Sequence, residues 1–213
     1  MINLKICNKV FIDFDGVIVD SNKFKELAIR ESIYFINGHN KKSDLAIKYF
    51  NVNAGIPREK KLSKFFNFEV TDKIMKIYTK KCKESYLNSK PIFGTLEFLE
   101  YLNKKYKEID IYVLSGGEKN EISKFIFDHK MNNFFSDILA SNKLKSQHLM
   151  DTNASKNDYF IGDSKRDLET AINHPLKFIY IKGYNSQLSS PSYNNLRKAD
   201  FISNDLSGLT KFI

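Results

Sequence analysis

The 213-residue chain has no tryptophan and only two cysteines, Cys7 and Cys82, which lie far apart and outside any metal-ligand spacing. Two cysteines placed in this way exclude a disulfide framework and a zinc motif, and they are typical of a protein in a reducing cytoplasm. No apolar run approaches the roughly 20 residues that a membrane helix needs, and the first residues lack the apolar core of a signal peptide. Repeats and low-complexity tracts are also absent. We therefore expect a folded, cytoplasmic protein.

The charge of the chain is strongly positive. It has 34 Lys and Arg against 25 Asp and Glu, which gives a formal net charge of +9. Such an excess can indicate nucleic-acid binding, but the basic residues are spread along the chain without a long run, which favours a solvated lysine-rich surface. A positive field also attracts phosphorylated anions. We expect a small phosphorylated metabolite as the partner, with neither nucleic acid nor a membrane, and the sequence leaves the oligomeric state open.

Two carboxylates follow a short apolar run near the start of the chain, in residues 9–20, KVFIDFDGVIVD. Residues 10–12 are apolar, Asp13 and Asp15 follow, and Gly16 ends the pattern. An apolar run bounded by a glycine predicts a buried parallel strand that ends in a loop. In open α/β sheets ligands collect at this end of the strands, and two acids there need a cation. Mg²⁺ suits such hard oxygen ligands, although acids in a loop can also cap a helix.

A second acidic pattern occupies residues 158–171, DYFIGDSKRDLETA. Residues 159–161 predict a strand, Gly162 a turn, and Asp163 and Asp167 follow. Taken alone, Asp163 could cap a helix with Asp167 in its first turn, a position that the helix dipole favours. Two acidic clusters that each follow a buried strand make this alternative less attractive than a shared metal site.

The rest of the chain alternates between strand and helix patterns. Further strands are predicted at residues 109–114, 134–141, 178–182 and 200–202, and a loop at residues 184–195. Residues 21–90 instead predict helices only, with a break at Gly55 and Pro57, a helix over residues 58–66, and a last helix that Thr71 caps and that ends at Leu87. The alternation predicts an α/β fold with a Rossmann-like parallel sheet built from residues 1–20 and 91–213.

The stretch DFDGVIVD resembles the first motif, DxDGxxxD, of the haloacid dehalogenase superfamily of phosphatases, and GDSKRD resembles its fourth motif, GDSxxD. The resemblance extends over the whole chain. It implies that Asp13 attacks phosphorus and that Asp15 is the general acid and base. It also implies that Asp163 ligates Mg²⁺, that Asp167 ligates the ion or holds a water bound to it, and that Asp13 and the backbone carbonyl of Asp15 complete the protein ligands.

The second motif of this family is an apolar strand that ends in Ser or Thr, and the segment IDIYVLSGG resembles it. The resemblance implies that the Ser115 hydroxyl binds a phosphoryl oxygen and that Gly116 and Gly117 let backbone amides approach the anion. On its own, a strand followed by Ser-Gly-Gly is more often a simple turn.

The third motif of the family is a lysine at a helix start. Two lysines stand at the corresponding place in this chain, and both remain open. Lys145 has Leu149 four residues later and matches the common Lys-x-x-x-Leu form, which we prefer, whereas Lys143 fits a longer spacing. Either of them could instead be an ordinary surface lysine.

Many members of the family carry a small helical cap directly after the first motif, and the resemblance assigns residues 21–90 to such a cap. The run NAGIPREKKLSKFF is similar to the cap segment of hydrolases found among sugar-phosphate enzymes. We expect Arg58 to bind a substrate oxyanion, because its guanidinium matches carboxylate and phosphate geometry. The alternative is that Arg58 lies on the surface of a helix beside Lys60 and Lys61.

The resemblance as a whole implies Mg²⁺-dependent hydrolysis of a small phosphomonoester, a sugar phosphate or phosphoglycolate, through an aspartyl-phosphate intermediate. A phosphomutase of the same superfamily would use the same residues. A non-catalytic protein that binds a phosphorylated metabolite is a third possibility. The dehalogenase branch is disfavoured, because Asp15 is the mark of the phosphatases.

Overall fold

Six parallel strands form a sheet in the computed structural model, which describes residues 2–53, 56–141, 143–184 and 196–213. In that part of the chain the strands lie in the order β3-β2-β1-β4-β5-β6. They are β1 (Lys9–Ile12), β2 (Asp110–Leu114), β3 (Asp137–Leu139), β4 (Tyr159–Gly162), β5 (Lys177–Ile181) and β6 (Phe201–Ser203). The predicted parallel α/β sheet is confirmed.

The central strand β1 is buried on both faces, as its uninterrupted apolar sequence requires. It pairs with β2 on one side and with β4 on the other, and Ile12 lies opposite Ile161 of β4. The next backbone amide, that of Asp13, donates to the Ile161 carbonyl at 2.8 Å. This register places the residues that follow β1 beside those that follow β4.

The chain between β1 and β2 begins with four helices. They are α1 (Asn22–Asn37), α2 (Lys41–Val52), α3 (Arg58–Leu62) and α4 (Phe68–Leu87). The segments that enter and leave this helical insert run side by side, since Val19 pairs with Pro91 and the Ile92 amide donates to the Ile18 carbonyl at 2.8 Å. The insert therefore begins and ends at the same place, next to the end of β1.

Two helix boundaries in the insert differ from the prediction. The last helix begins at Phe68 rather than at Thr71, because the side chain of Asn67 accepts a hydrogen bond from the Val70 amide and caps the helix earlier. The helix predicted over residues 58–66 ends at Leu62, after which a turn brings Phe66 into the core.

The helices α5 (Thr95–Lys105), α6 (Lys119–Asp128), α7 (Lys145–Asp151) and α8 (Lys165–Asn173) cover the two faces of the sheet. Apolar residues of α5 and α6 pack in one buried cluster with Val10 and Ile12, whereas α7 and α8 pack with Phe11 in a second cluster. Alternate residues of a strand point to opposite faces, so β1 contributes to both clusters. Short 3-10 turns at Asn132–Phe134 and Leu209–Lys211 complete the described elements.

Two sequence predictions fall wholly or largely on residues outside the described ranges. They are the break at Gly55 and, apart from its first residue, the loop at residues 184–195. Within the described ranges, no helix combines the length and the hydropathy that crossing a membrane requires.

Candidate active site

Three buried carboxylates meet at the carboxyl ends of two adjacent strands. Asp13 follows β1, Asp163 follows β4, and Asp167 lies in the first turn of α8. One oxygen of each lies within 4.8 Å of the others. The structure thus brings together acids that are 150 positions apart in the chain, and it does so because β1 and β4 pair directly.

Two glycines allow this close approach. Gly16 has a φ of +79°, and a Cβ atom there would lie 2.1 Å from Asp163 Oδ2. A Cβ atom on Gly162 would lie 2.6 Å from the Cβ of Asp167. Any larger residue at either position would have to displace one of the carboxylates, so the spacing of both acidic motifs around glycine is a packing requirement of the site.

Lys145 joins two of the acids. It is the first residue of α7, and its Nζ lies 2.8 Å from Asp13 Oδ1 and 2.7 Å from Asp167 Oδ1. Lys143, the other candidate for the third motif, pairs with Asp151 at 2.6 Å on the exposed surface. Of the two lysines, Lys145 is therefore the one that contacts the acidic cluster.

The cluster carries more negative charge than its own lysine balances. Burial raises the pKa of Asp13 to about 7; Lys145 opposes this rise, and the Asp167 and Asp15 carboxylates add to it. Burial, followed by repulsion from Asp13 and Asp167, raises the pKa of Asp163 well above its ordinary value. A dication would supply the missing positive charge, and a set of carboxylate oxygens is the donor set that Mg²⁺ prefers. The residues present therefore fit that ion.

Asp167 and Asp163 are also held from outside the cluster. Asp167 Oδ2 accepts from the backbone amide of Ser164 at 3.1 Å and from its hydroxyl at 2.6 Å. Asp163 Oδ2 accepts from the side-chain amide of Asn22 at 3.0 Å. These bonds fix the orientation of both carboxylates before any ligand arrives. The contact of Asn22 gives the helical insert a direct link to the acidic cluster.

Asp15 has different partners from those of Asp13. The Ser21 hydroxyl and the Tyr86 hydroxyl donate to Asp15 Oδ1, the latter at 2.7 Å, and Lys25 Nζ lies 2.5 Å from Asp15 Oδ2. Burial works to raise the pKa of Asp15, but Lys25 and these hydrogen bonds outweigh it and lower the pKa to about 2. The sequence reasoning missed Lys25 and Tyr86. Ser21 and Lys25 are four positions apart at the start of a helix, so the sequence could have indicated that both lie on one face. No pattern near Tyr86 indicates its contact with Asp15.

Ser115 lies at the end of β2, the other neighbour of β1. It is buried, and its hydroxyl accepts from the Gly117 amide at 3.0 Å. A Cβ atom on Gly116 would meet nothing within 4 Å, so the space beside this residue is open. A Cβ atom on Gly117 would lie 3.9 Å from Asp15 Oδ2, which places this loop next to the second acid of the first motif.

Arg58 is the first residue of α3, within the helical insert. Its guanidinium lies over the ring of Tyr78, 5.1 Å from the centroid. It forms no ion pair with any carboxylate in the described part of the chain. Burial alone would lower the pKa of Arg58, but Tyr78 and Glu121 nearby raise it above its ordinary value, so the group stays charged. Arg58 is thus a partly buried cation that has no carboxylate partner in the described part of the chain. It belongs to the helical insert and does not contact the acidic cluster.

A model of the haloacid dehalogenase-like hydrolase family matches residues 10–181, a range that includes both acidic motifs, Ser115 and Lys145. No curated protein sequence matches the chain.

Solved structures with a similar fold include three that cover nearly the whole chain. A predicted phosphoglycolate phosphatase from Haemophilus somnus is 16% identical, with a TM-score of 0.78 and 99% of each chain covered. A haloacid dehalogenase-like hydrolase from Streptococcus pneumoniae is 17% identical, with a TM-score of 0.71 and 97% of this chain and 98% of that one covered. CbbY from Rhodobacter sphaeroides in complex with phosphate is 13% identical, with a TM-score of 0.73 and 96% of each covered. At these identities the likeness concerns the fold.

Proposed function

Because the chain belongs to the haloacid dehalogenase-like hydrolase family, we propose that it is a Mg²⁺-dependent phosphatase of small phosphomonoesters. The motif resemblance to this superfamily is confirmed by the family match. The observation that carries the proposal is the buried cluster of Asp13, Asp163 and Asp167, bridged by a single lysine at the carboxyl ends of adjacent strands.

The carboxylates of Asp13, Asp163 and Asp167, together with the backbone carbonyl of Asp15, would hold the Mg²⁺ ion. When bound, the ion supplies positive charge to the phosphoryl oxygens and to the crowded acids. Lys145 adds a fixed positive charge from the protein itself, since its Nζ already lies between Asp13 and Asp167.

In the proposed reaction, an Asp13 carboxylate oxygen attacks the phosphorus atom and forms an aspartyl-phosphate, and the ester oxygen leaves with a proton from Asp15. Asp15 then removes a proton from water, which attacks the phosphorus atom and restores Asp13. The Ser115 hydroxyl and the open space at Gly116 belong to the loop that approaches Asp15 at Gly117, and they would bind the phosphoryl oxygens. Positioning and charge account for most of the catalysis in such transfers.

We propose that residues 21–90 form a cap over a core of residues 1–20 and 91–213. The paired entry and exit segments at Val19 and Pro91 support this division, as do the contacts of Lys25 and Tyr86 with Asp15. Arg58 in this cap would bind an oxyanion of the leaving group. The substrate class we propose, a sugar phosphate or phosphoglycolate, agrees with a phosphoglycolate phosphatase and a structure solved with xylulose-1,5-bisphosphate among the similar folds.

The test is phosphate release from a panel of metabolite esters, measured with Mg²⁺ and with EDTA. We expect release with Mg²⁺ only, and we expect Asp13→Asn to retain less than roughly a thousandth of the activity. Asp151→Asn makes the same change at an exposed carboxylate and should be fully active. An Asp13→Asn enzyme with wild-type turnover would refute the nucleophile, and equal activity in EDTA would refute the metal.

The same preparation distinguishes the other two functions. A phosphomutase would convert a hexose 1-phosphate in the presence of a bisphosphate primer without releasing phosphate. A non-catalytic binding protein would bind one of the esters and release phosphate from none. We also propose a cytoplasmic location, which the two free and buried cysteines, Cys7 and Cys82, support.

A further inference from the structure

The side chain of Asp15 is held by the helical insert rather than by the sheet that carries it. Lys25 of α1 contacts Oδ2 at 2.5 Å, and Tyr86 of α4 donates to Oδ1 at 2.7 Å. Ser21, at the entry to the insert, also donates to Oδ1. Both carboxylate oxygens are therefore engaged by donors from residues 21–90.

These contacts are fixed by packing. The side chains of Lys25 and Asp15 are only 16% and 20% exposed, and Tyr86 is 6% exposed. The ring of Tyr86 packs edge-on against Phe24 and at a tilt against Phe14, with ring centroids 5.0 Å and 5.8 Å apart, and Lys25 Nζ lies 5.5 Å from the Tyr86 centroid. Fixing a long lysine side chain in one conformation costs entropy. The attraction between charges on the solvated surface is seldom large enough to offset that cost. Here the pair is shielded and its geometry is determined by neighbouring rings.

The position of this pair matters because of what lies beside it. Oδ2, the oxygen that Lys25 contacts, is also the Asp15 atom that borders Gly117 in the loop after Ser115. Under the proposed function, the phosphoryl group would bind near this loop and Asp13. The contact with Lys25 therefore fixes the Asp15 oxygen that lies nearest this loop.

We propose that Lys25 and Tyr86 are positioning residues that hold the carboxyl group of Asp15 in the orientation in which it transfers a proton to the leaving oxygen. The inference rests on the proposed function. Neither residue touches the phosphoryl group, and both act through Asp15.

The test uses two esters that differ in their need for a proton. An alkyl phosphate has a poor leaving group that must be protonated as it departs, whereas p-nitrophenyl phosphate releases a stable anion. In Lys25→Met and Tyr86→Phe, leaving-group release in the first turnover should fall roughly 10- to 100-fold for the alkyl ester and less than about 3-fold for p-nitrophenyl phosphate. KM should change little for either ester. Lys25→Arg, which keeps the charge, should recover part of the loss.

Lys81→Met is the matched control. Lys81 of α4 pairs with Glu31 of α1 at 2.6 Å on the exposed surface, so this variant removes a lysine–carboxylate pair between the same two helices without touching Asp15. It should behave as wild type with both esters. The inference is wrong if Lys25→Met and Tyr86→Phe slow leaving-group release equally for both esters or for neither, or if they behave like Lys81→Met. A wild-type protein that releases phosphate from neither ester would instead refute the proposed function.

Discussion

Among glycine-to-alanine replacements near the acidic cluster, Gly16→Ala should disturb the positions of its carboxylates most. The backbone at Gly16 has a φ of +79°, and the added Cβ would lie 2.1 Å from Asp163 Oδ2. The left-handed backbone alone costs an alanine about 1–2 kcal/mol. The contact with Asp163 adds a second cost, because the carboxylate must move away from the position that it shares with Asp13. We expect a loss of roughly 2–4 kcal/mol in the free energy of unfolding.

Two other glycines separate these costs. Gly38 has a φ of +72° and open space around it, so Gly38→Ala measures the cost of a positive φ without crowding, and its ψ of 173° makes that cost larger than in the left-handed helical region. Gly162 has no left-handed backbone, but its Cβ would lie 2.6 Å from the Cβ of Asp167, so Gly162→Ala measures crowding alone. The loss for Gly16→Ala should therefore exceed that for Gly162→Ala, because Gly16→Ala alone combines a positive φ with a close contact to the cluster.

Urea unfolding of the three variants gives the free energies, and phosphate release as a function of Mg²⁺ concentration reports on the cluster. Gly38→Ala should leave the Mg²⁺ dependence unchanged, whereas Gly16→Ala should raise the concentration needed for half-maximal activity by roughly tenfold or more, about 1.4 kcal/mol of binding. If Gly16→Ala left the Mg²⁺ dependence as unchanged as Gly38→Ala does, the close packing of Gly16 on Asp163 would be refuted.

Two further predictions concern the cap. Burial lowers the pKa of Lys61 from 10.5 to about 7, and its Nζ donates to the Phe50 carbonyl. The unfolded chain thus binds the proton more tightly, so Lys61→Met should stabilise the protein by roughly 2–4 kcal/mol near pH 7, with a gain that disappears as the pH rises from about 7 to 10.5. Urea unfolding of this variant and of Lys60→Met, which should change nothing, measures the effect, and a gain independent of pH would contradict it. Arg58→Ala should raise KM for an ester whose leaving group carries a second anion, but not for p-nitrophenyl phosphate; equal changes with both would exclude the oxyanion contact.

The strands that carry Asp13 and Asp163 could be predicted because their signals are local. Each is an apolar run followed by an acid and a glycine, and parallel pairing then brings their ends together. The choice between Lys143 and Lys145 was less certain, because both lie near a helix start. The structure makes Lys145 the first residue of α7, and the side chain of Gln147 bonds back to the Leu144 amide at that boundary. A difference of two residues at a helix start lies within the usual error of sequence patterns.

The start of α4 shows how a local signal can mislead. Thr71 is a good helix-capping residue, but Asn67, four positions earlier, caps the helix instead. Thr71 is consequently buried inside the helix, where its hydroxyl has no hydrogen-bond partner within the described part of the chain. Capping propensity identifies several candidates in such a sequence, and the packing of the apolar face decides among them.

The contact between Tyr86 and Asp15 could not be predicted at all, because it joins residues 71 positions apart and depends on how α4 returns to the core. Its importance follows from the opposite environments of the two acids of the first motif. Burial and neighbouring carboxylates raise the pKa of Asp13 to about 7, whereas Lys25 and two hydroxyls, working against burial, lower that of Asp15 to about 2. The two acids of the motif therefore lie in opposite environments, Asp13 among crowded carboxylates and Asp15 among donors from the helical insert. A cation at the cluster would offset the crowding of Asp13, and Lys25 and Tyr86 would hold Asp15 in the orientation that proton transfer requires. The cap would therefore take part in the chemistry as well as in the choice of substrate.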